Sequence, residues 1–236
     1  MASIVSAAST RARTHVGAAG AIYEMSPALP SVASNGVLET SSRTFRCASR
    51  TDANGETLEY RIVGINHDDL SDGSGKAGLT FEMTNDVMGE QRINSTNTNV
   101  GGWEKSELRG RLNSGDLWAL LPTELTAKIK SVNIMTDNKV GNDIAQATAT
   151  PDKVFILSVT EVWGGESVWS QGYQYELYTA KGVSGSNYGS LTHAGYWWSR
   201  SHANWPGTAF RIIGENATNA SQEASVTEPF YPAFCF

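Results

Sequence analysis

Short apolar–polar alternations recur along most of the chain. Residues 58–65 (LEYRIVGI) place Leu58, Tyr60 and Ile62 on alternate positions, and residues 43–50 (RTFRCASR) alternate in part. A period of two marks a half-buried strand. Between them, residues 51–55 (TDANG) carry Asn54-Gly55, the signal for a tight hairpin turn. The two runs are expected to pair as a hairpin. Residues 79–87 (LTFEMTNDV) read as a third strand, flanked by the polar loops 67–78 and 90–102. Further strands are expected at 132–135, 153–157 (KVFIL), 196–200 (YWWSR), 209–213 (AFRII) and 232–236 (PAFCF).

Helical spacing is confined to the middle of the chain. Trp103, Leu108 and Leu112 share one face of a helix predicted over 103–113, which Ser114-Gly115 would break. Asp116 would cap a short turn through Leu121. Pro122 opens a second helix to about Lys130, with Leu125 and Ile129 spaced i, i+4. Ser158 and Glu161 fit a capping box. Residues 137–152 read as a polar excursion. Residues 164–195 read as loop with one ordered piece near 173–178. Strands and helices do not alternate, so the expected class is α+β, not a Rossmann or barrel fold.

Residues 1–42 are rich in Ala, Ser and Gly and show no lasting apolar period. They are expected to be an attachment or flexible segment preceding one domain at 43–236. Charged residues make up only 18% of the chain and Gly accounts for 23 positions, which argues against a coiled coil or helical bundle. The seven Trp and eight Tyr argue against wholesale disorder. A net charge of -6 without a long basic run disfavours nucleic acid as a partner. No apolar run approaches the roughly 18 residues of a spanning helix, so membrane insertion is not expected. The N-terminus lacks a basic segment followed by an apolar core, so synthesis in the cytoplasm without a signal peptide is expected.

Signatures of common chemistry are absent from the sequence. The four histidines show no HExxH or HxH spacing, and there is no GxSxG, P-loop or GxGxxG. Gly73-Ser74-Gly75-Lys76 lacks the rest of a phosphate loop. Asp68, Asp69, Asp72 and Ser74 gather oxygens in one loop without the spacing of a calcium-binding EF-hand. Glu161, Glu166 and Glu176 read as caps and surface charges. Asn216 and Asn219 match the glycosylation acceptor, which matters only in a secretory route. Two cysteines, Cys47 and Cys235, exclude a disulfide-rich scaffold and a cysteine-based zinc site. Two free, buried thiols is the simpler reading. No cofactor and no metal site are implied.

The segment 196–236 is the most informative. Trp197 and Trp198 fall on opposite sides of a strand, so one would fill the core and the other would be half covered. Beyond them, Trp205 stands among Ser201, His202, Asn204 and Thr208, a composition suited to an exposed recognition patch. The expected ligand-binding set is Ser201, His202, Asn204, Trp205, Thr208, Arg211, Glu215 and Asn219. Trp103, Trp197, Trp198, Arg200 and Phe234 are expected to be structural.

The combination of NVGGWEKSELRGRLNSGDLWALLP, DKVFILSVTEVWG, GYWWSRS and the terminal PAFCF resembles the DUF6273 domain family of bacterial and prophage proteins, over roughly 58–236. The family is distantly similar to the C-type lectin-like and formylglycine-generating-enzyme-like fold, which unites first and last strands and hangs long loops on a small core. The resemblance thus implies a C-type lectin-like domain, and it would bring Cys47 nearer Cys235. Ser199 stands where relatives commonly have Leu. Arg200 carries over as a structural residue, expected to pair with Glu176 or Glu104. The cysteine chemistry of the formylglycine-generating enzymes does not transfer.

In related prophage proteins the corresponding C-terminal region resembles a surface varied by diversity-generating retroelements. The expected role is therefore a non-enzymatic ligand- or receptor-binding module of a phage or prophage tail or adhesion protein. Its expected partners are a host surface protein or glycan and other virion subunits. A homo-oligomer, with a trimer favoured, and a virion or extracellular location are expected. The alternative is a structural decoration or baseplate protein that binds only its neighbours.

Overall fold

The computed structural model describes residues 48–138, 147–165, 171–184, 187, 193–203, 207–214 and 220–236. Among these, β1 (Ala48–Thr51) and β2 (Thr57–Ile65) form the antiparallel hairpin expected from the Asn54-Gly55 turn. Asp52 shapes that turn by accepting from the backbone N–H of Asn54 and Glu56. β2 pairs with β3 (Leu79–Met83), and β3 pairs with the last strand, β10 (Pro232–Cys235). β6 (Val154–Ile156) closes a five-stranded antiparallel sheet in the order β1-β2-β3-β10-β6. The first hairpin and the last strand share this sheet, with β3 between them.

The sheet has two chemically different faces. On one, Tyr60, Phe81, Phe234 and Phe236 form an aromatic cluster with centroids 5.0–5.6 Å apart. On the other, Arg61 and Glu82 face each other across β2 and β3. A register shift between Ile62 and Gly64 keeps Gly64 level with Thr80. The short helix α5 (Glu176–Ala180) lies over this polar face. Its Tyr178 hydroxyl donates to both oxygens of Glu82, and the preceding Tyr175 hydroxyl donates to Asp68.

The middle of the chain supplies α1 (Glu107–Ser114), α2 (Asp116–Leu120) and α3 (Thr123–Thr126). The first begins four residues later than the apolar spacing predicts. Ser106 caps it by accepting from the Arg109 N–H, and Gly101 and Gly102 turn the chain just before, at positive φ. Trp103 is instead buried ahead of the helix, where its indole N–H donates to Asp152 at 2.7 Å. The second predicted helix shortens to α3, and Lys130 already bonds across to the Cys235 carbonyl.

The polar excursion contains a strand. β4 (Val132–Thr136) pairs with β5 (Thr148–Asp152), and residues 139–146 between them lie outside the described residues. α4 (Val159–Trp163) carries the predicted capping box, with Ser158 and Glu161 bonding each other's backbone reciprocally. The third sheet orders β7 (Tyr196–His202), β8 (Ala209–Gly214) and β9 (Ser221–Glu223). The architecture is α+β, built on small antiparallel sheets.

Both faces of β7 are covered, so Trp197 and Trp198 are both buried, against the expectation of one half-covered ring. Trp197 packs edge-on against His193 and Tyr231, and the Trp198 indole donates to the Gln91 carbonyl at 2.7 Å. Trp103, Arg200 and Phe234 are also buried. Arg200 pairs with both oxygens of Glu161, not with Glu176 or Glu104. Glu176 takes His67 instead, at 3.1 Å. Ser199 is fully buried and donates to the Arg211 carbonyl, which gives a polar residue at that position a place in the core.

Candidate functional site

The connection from β7 to β8 has a closed base. The Ala203 N–H donates to the Ala209 carbonyl at 2.9 Å, bringing the two strand ends together. Asn99, fully buried, reaches in from the loop before α1. Its Nδ2 donates to the carbonyls of Ala203 at 3.0 Å and Ala209 at 2.9 Å. Its backbone N–H also bonds the Gly207 carbonyl at 3.3 Å. One side chain therefore binds both ends of the segment that carries Asn204 and Trp205. Buried backbone carbonyls need partners, and an amide with two donors satisfies two at once.

Neighbouring asparagines extend this brace. Asn97 donates to Glu223 of β9 at 2.6 Å and accepts from Ser225. Asn94 ties the start of the same loop to Thr98 and to the first turn of α1. The Asn/Ser/Thr run at 93–99 reads in sequence as ordinary loop composition. In the fold it joins α1, β8 and β9. Its signal in sequence is only a density of short amides able to bond backbone in turns.

Of the expected ligand-binding residues, Ser201 and His202 are buried, not part of an exposed patch. Ser201 accepts from the Val159 N–H and donates to Gln171, tying β7 to α4. The His202 ring contacts the Ala203 carbonyl at 3.1 Å and Asp137 at 2.9 Å. Thr208 and Arg211 are half-buried on the β8 side of the connection. Asn204, Trp205, Glu215 and Asn219 lie outside the described residues, as does Cys47. The structure thus brings His202 and Thr208 to the two sides of the base that Asn99 closes, and adds Asn99, Asn97 and Asp137.

Acids on the polar face of the large sheet are held by donors. Asp68 accepts from Tyr175, Thr80 and the Cys235 thiol. Burial and the Asp68 charge push the Cys235 thiol far above its ordinary range, so it is a free but protonated thiol. Burial alone would raise the Glu82 carboxyl, but His193, Arg61 and Tyr178 outweigh it and hold it below its usual value. His193 stacks on Tyr231 at 3.4 Å, and burial pulls its ring below the ordinary imidazole value. A shallow depression of about 360 Å³ lies elsewhere, lined by Gln91, Arg92, Glu107, Arg111, Asp116 and Thr227. Its Arg111 is already paired with Asp116 and Gln91.

The fold and this braced connection define an α+β domain of small antiparallel sheets in which Asn99 ties the facing ends of β7 and β8 together. The chain belongs to the family described as "Domain of unknown function (DUF6273)", which matches residues 77–236, more than half of its length. No curated protein and no solved structure matches it.

Proposed function

We propose that the chain is a non-enzymatic display module of the C-type lectin-like kind, acting as the ligand- or receptor-binding part of a phage or prophage tail or adhesion protein. Residues 204–208, Trp205 among them, form the contact surface. The observation that carries this reading is the Asn99 brace. A buried side chain whose donors both close the base of one loop allows that loop to change sequence without loss of the sheet beneath it. Binding through a loop pre-organised at its base avoids part of the ordering cost of association.

Two further features support the reading. Asp68, Glu82, Asp152 and Glu161 are each engaged by donors from within the fold. The last strand lies in the same central sheet as the first hairpin, with β3 between them. The partner is a host surface protein or glycan. Assembly as a homo-oligomer, a trimer by analogy, would multiply weak single-site contacts.

The test compares the full chain with Trp205→Ala and Asn204→Ala on a glycan array and a panel of whole bacterial cells. Loss of binding at an unchanged melting temperature is the expected result. Undiminished binding by both variants would remove the loop from the contact surface. The gene's neighbourhood tests diversification separately. A reverse transcriptase and a template repeat that differs mainly at adenines would make this a varied surface, and tail genes without the repeat would make it a fixed one.

A further inference from the structure

On the polar face of the large sheet, two basic side chains meet at one buried carboxylate. Glu82 Oε2 lies 3.2 Å from Arg61 Nη2 and 3.3 Å from His193 Nε2. Both separations exceed the roughly 2.8 Å of a charge-assisted N–H···O bond. The short contact joins the two bases: Arg61 Nη2 stands 2.8 Å from His193 Nε2. A guanidinium only donates, so Nε2 accepts, and the neutral ring carries its hydrogen on Nδ1.

We propose that Glu82 is the pivot of an acid-driven exchange, in which protonated His193 takes the carboxylate and Arg61 withdraws from the ring. A proton on Nε2 removes the lone pair that Arg61 uses and sets two cations 2.8 Å apart. Little water reaches them, because the His193 and Glu82 side chains are 2% and 1% exposed. The ring is fixed from behind. It stacks at 3.4 Å on Tyr231, immediately before β10, and meets Trp197 of β7 edge-on. Glu82 is fixed by the Tyr178 hydroxyl of α5, at 3.0 Å from each oxygen. Arg61 is 14% exposed, so it is the member of the three that reaches water and moves.

Glu82 and Arg61 are the charged groups acting on the ring, and Asp86 acts on Tyr231 behind it. Burial pulls the ring below the ordinary imidazole value, which assigns the exchange to acid conditions. Arg61 and Glu82 are cross-strand partners of β2 and β3, and those strands pair through backbone, so the exchange is confined to side chains. It does not depend on what the connection after β7 binds.

The experiment is NMR of the ¹⁵N-labelled full chain, following the His193 ring nitrogens and Arg61 Nε from neutral to acid pH. The expected result is a neutral ring with its hydrogen on Nδ1, and an Arg61 signal that shifts with the His193 midpoint. In Arg61→Gln, which removes the opposing charge, that midpoint should rise by about one pH unit. Any of four results overturns the exchange. They are a neutral ring with its hydrogen on Nε2, an Arg61 signal that does not follow His193, a midpoint that does not rise in Arg61→Gln, or unfolding before His193 titrates. Should Arg61→Gln fail to fold, the ring hydrogen and the shared midpoint of the unmodified chain decide alone.

Discussion

Asn99 and Ala209 are joined by a 2.9 Å hydrogen bond from the Asn99 amide to the Ala209 carbonyl, and the same nitrogen bonds Ala203. Two strand ends are thereby held by a residue 104 and 110 positions away in the chain. Asn99→Ala would leave two buried carbonyls with fewer donors. A loss of about 2–4 kcal/mol is expected, from the cost of buried unsatisfied groups. Asn99→Asp should be worse, because a carboxylate would face the same carbonyls with no donor. Urea unfolding of both variants reads the difference, and equal stability to the parent chain would show that the brace contributes nothing.

Gly64 faces the Tyr175 ring so closely that a Cβ would stand 2.8 Å from its Cδ1. The glycine is required here by close approach, not by backbone conformation. Tyr175 is fully buried and hydrogen-bonded to Asp68, so it has little room to retreat. Gly64→Ala is expected to destabilise by about 1–3 kcal/mol, as overpacking does elsewhere. Pairing it with Tyr175→Phe tests the cause. Removing the hydroxyl bond frees the ring to shift, so the double variant should lose less than the sum of the two single losses.

Elements with an alternating or a continuous apolar run were readable from the sequence: the β1–β2 hairpin, β3, β6, β7, β8 and β10. So was the capping box at Ser158, since a cap is a local pattern. β5 and β9 were not. Thr148–Asp152 and Ser221–Glu223 expose most of their side chains, which leaves no apolar period to read. The partner of Arg200 was missed for a related reason. Glu161 already had a local role at the cap, but a carboxylate has room for both partners. Asn99 and Asp137 acquire their meaning only when Ala203, Ala209 and His202 come together, and no local pattern carries that.

The Arg200–Glu161 pair provides a third test. Both side chains are buried, and Arg200 also donates to the carbonyls of Ile156 at 2.9 Å and Met135 at 3.1 Å. Replacing one partner strands the other charge inside the protein, at a cost of about 3–5 kcal/mol. Arg200→Met should show this loss by chemical denaturation. Arg200→Met with Glu161→Gln should recover part of it, because the stranded carboxylate is gone. No recovery would mean that the carbonyl bonds of Arg200 matter more than its charge.

Cys235 should behave as a silent thiol. It is fully buried, and burial with the nearby Asp68 charge keeps it protonated. Thiolate is the reactive form, so alkylation should be slow in the native chain and fast in denaturant. Mass spectrometry after timed labelling checks this. Rapid native labelling at Cys235 would show that the β3–β10 pairing opens readily.

His67 and His193 should titrate in opposite directions from the ordinary imidazole value of 6.5. At His67, burial works against the charge, but Glu176, Asp68 and Glu161 outweigh it and raise the pKa. Its contribution to stability is fully present below 6.5 and is lost as pH rises through the raised value. At His193, burial dominates, and the neighbouring Glu82 only partly offsets it. Its neutral form is favoured in the fold, so stability is full above 6.5 and declines as pH falls from there to the lowered value. NMR titration of the two Hε1 resonances should place one midpoint on each side of 6.5. His67→Ala should therefore cost more stability at acid pH than at alkaline pH. A midpoint for His67 below that of His193 would mean that Glu176 does not hold the ring in solution.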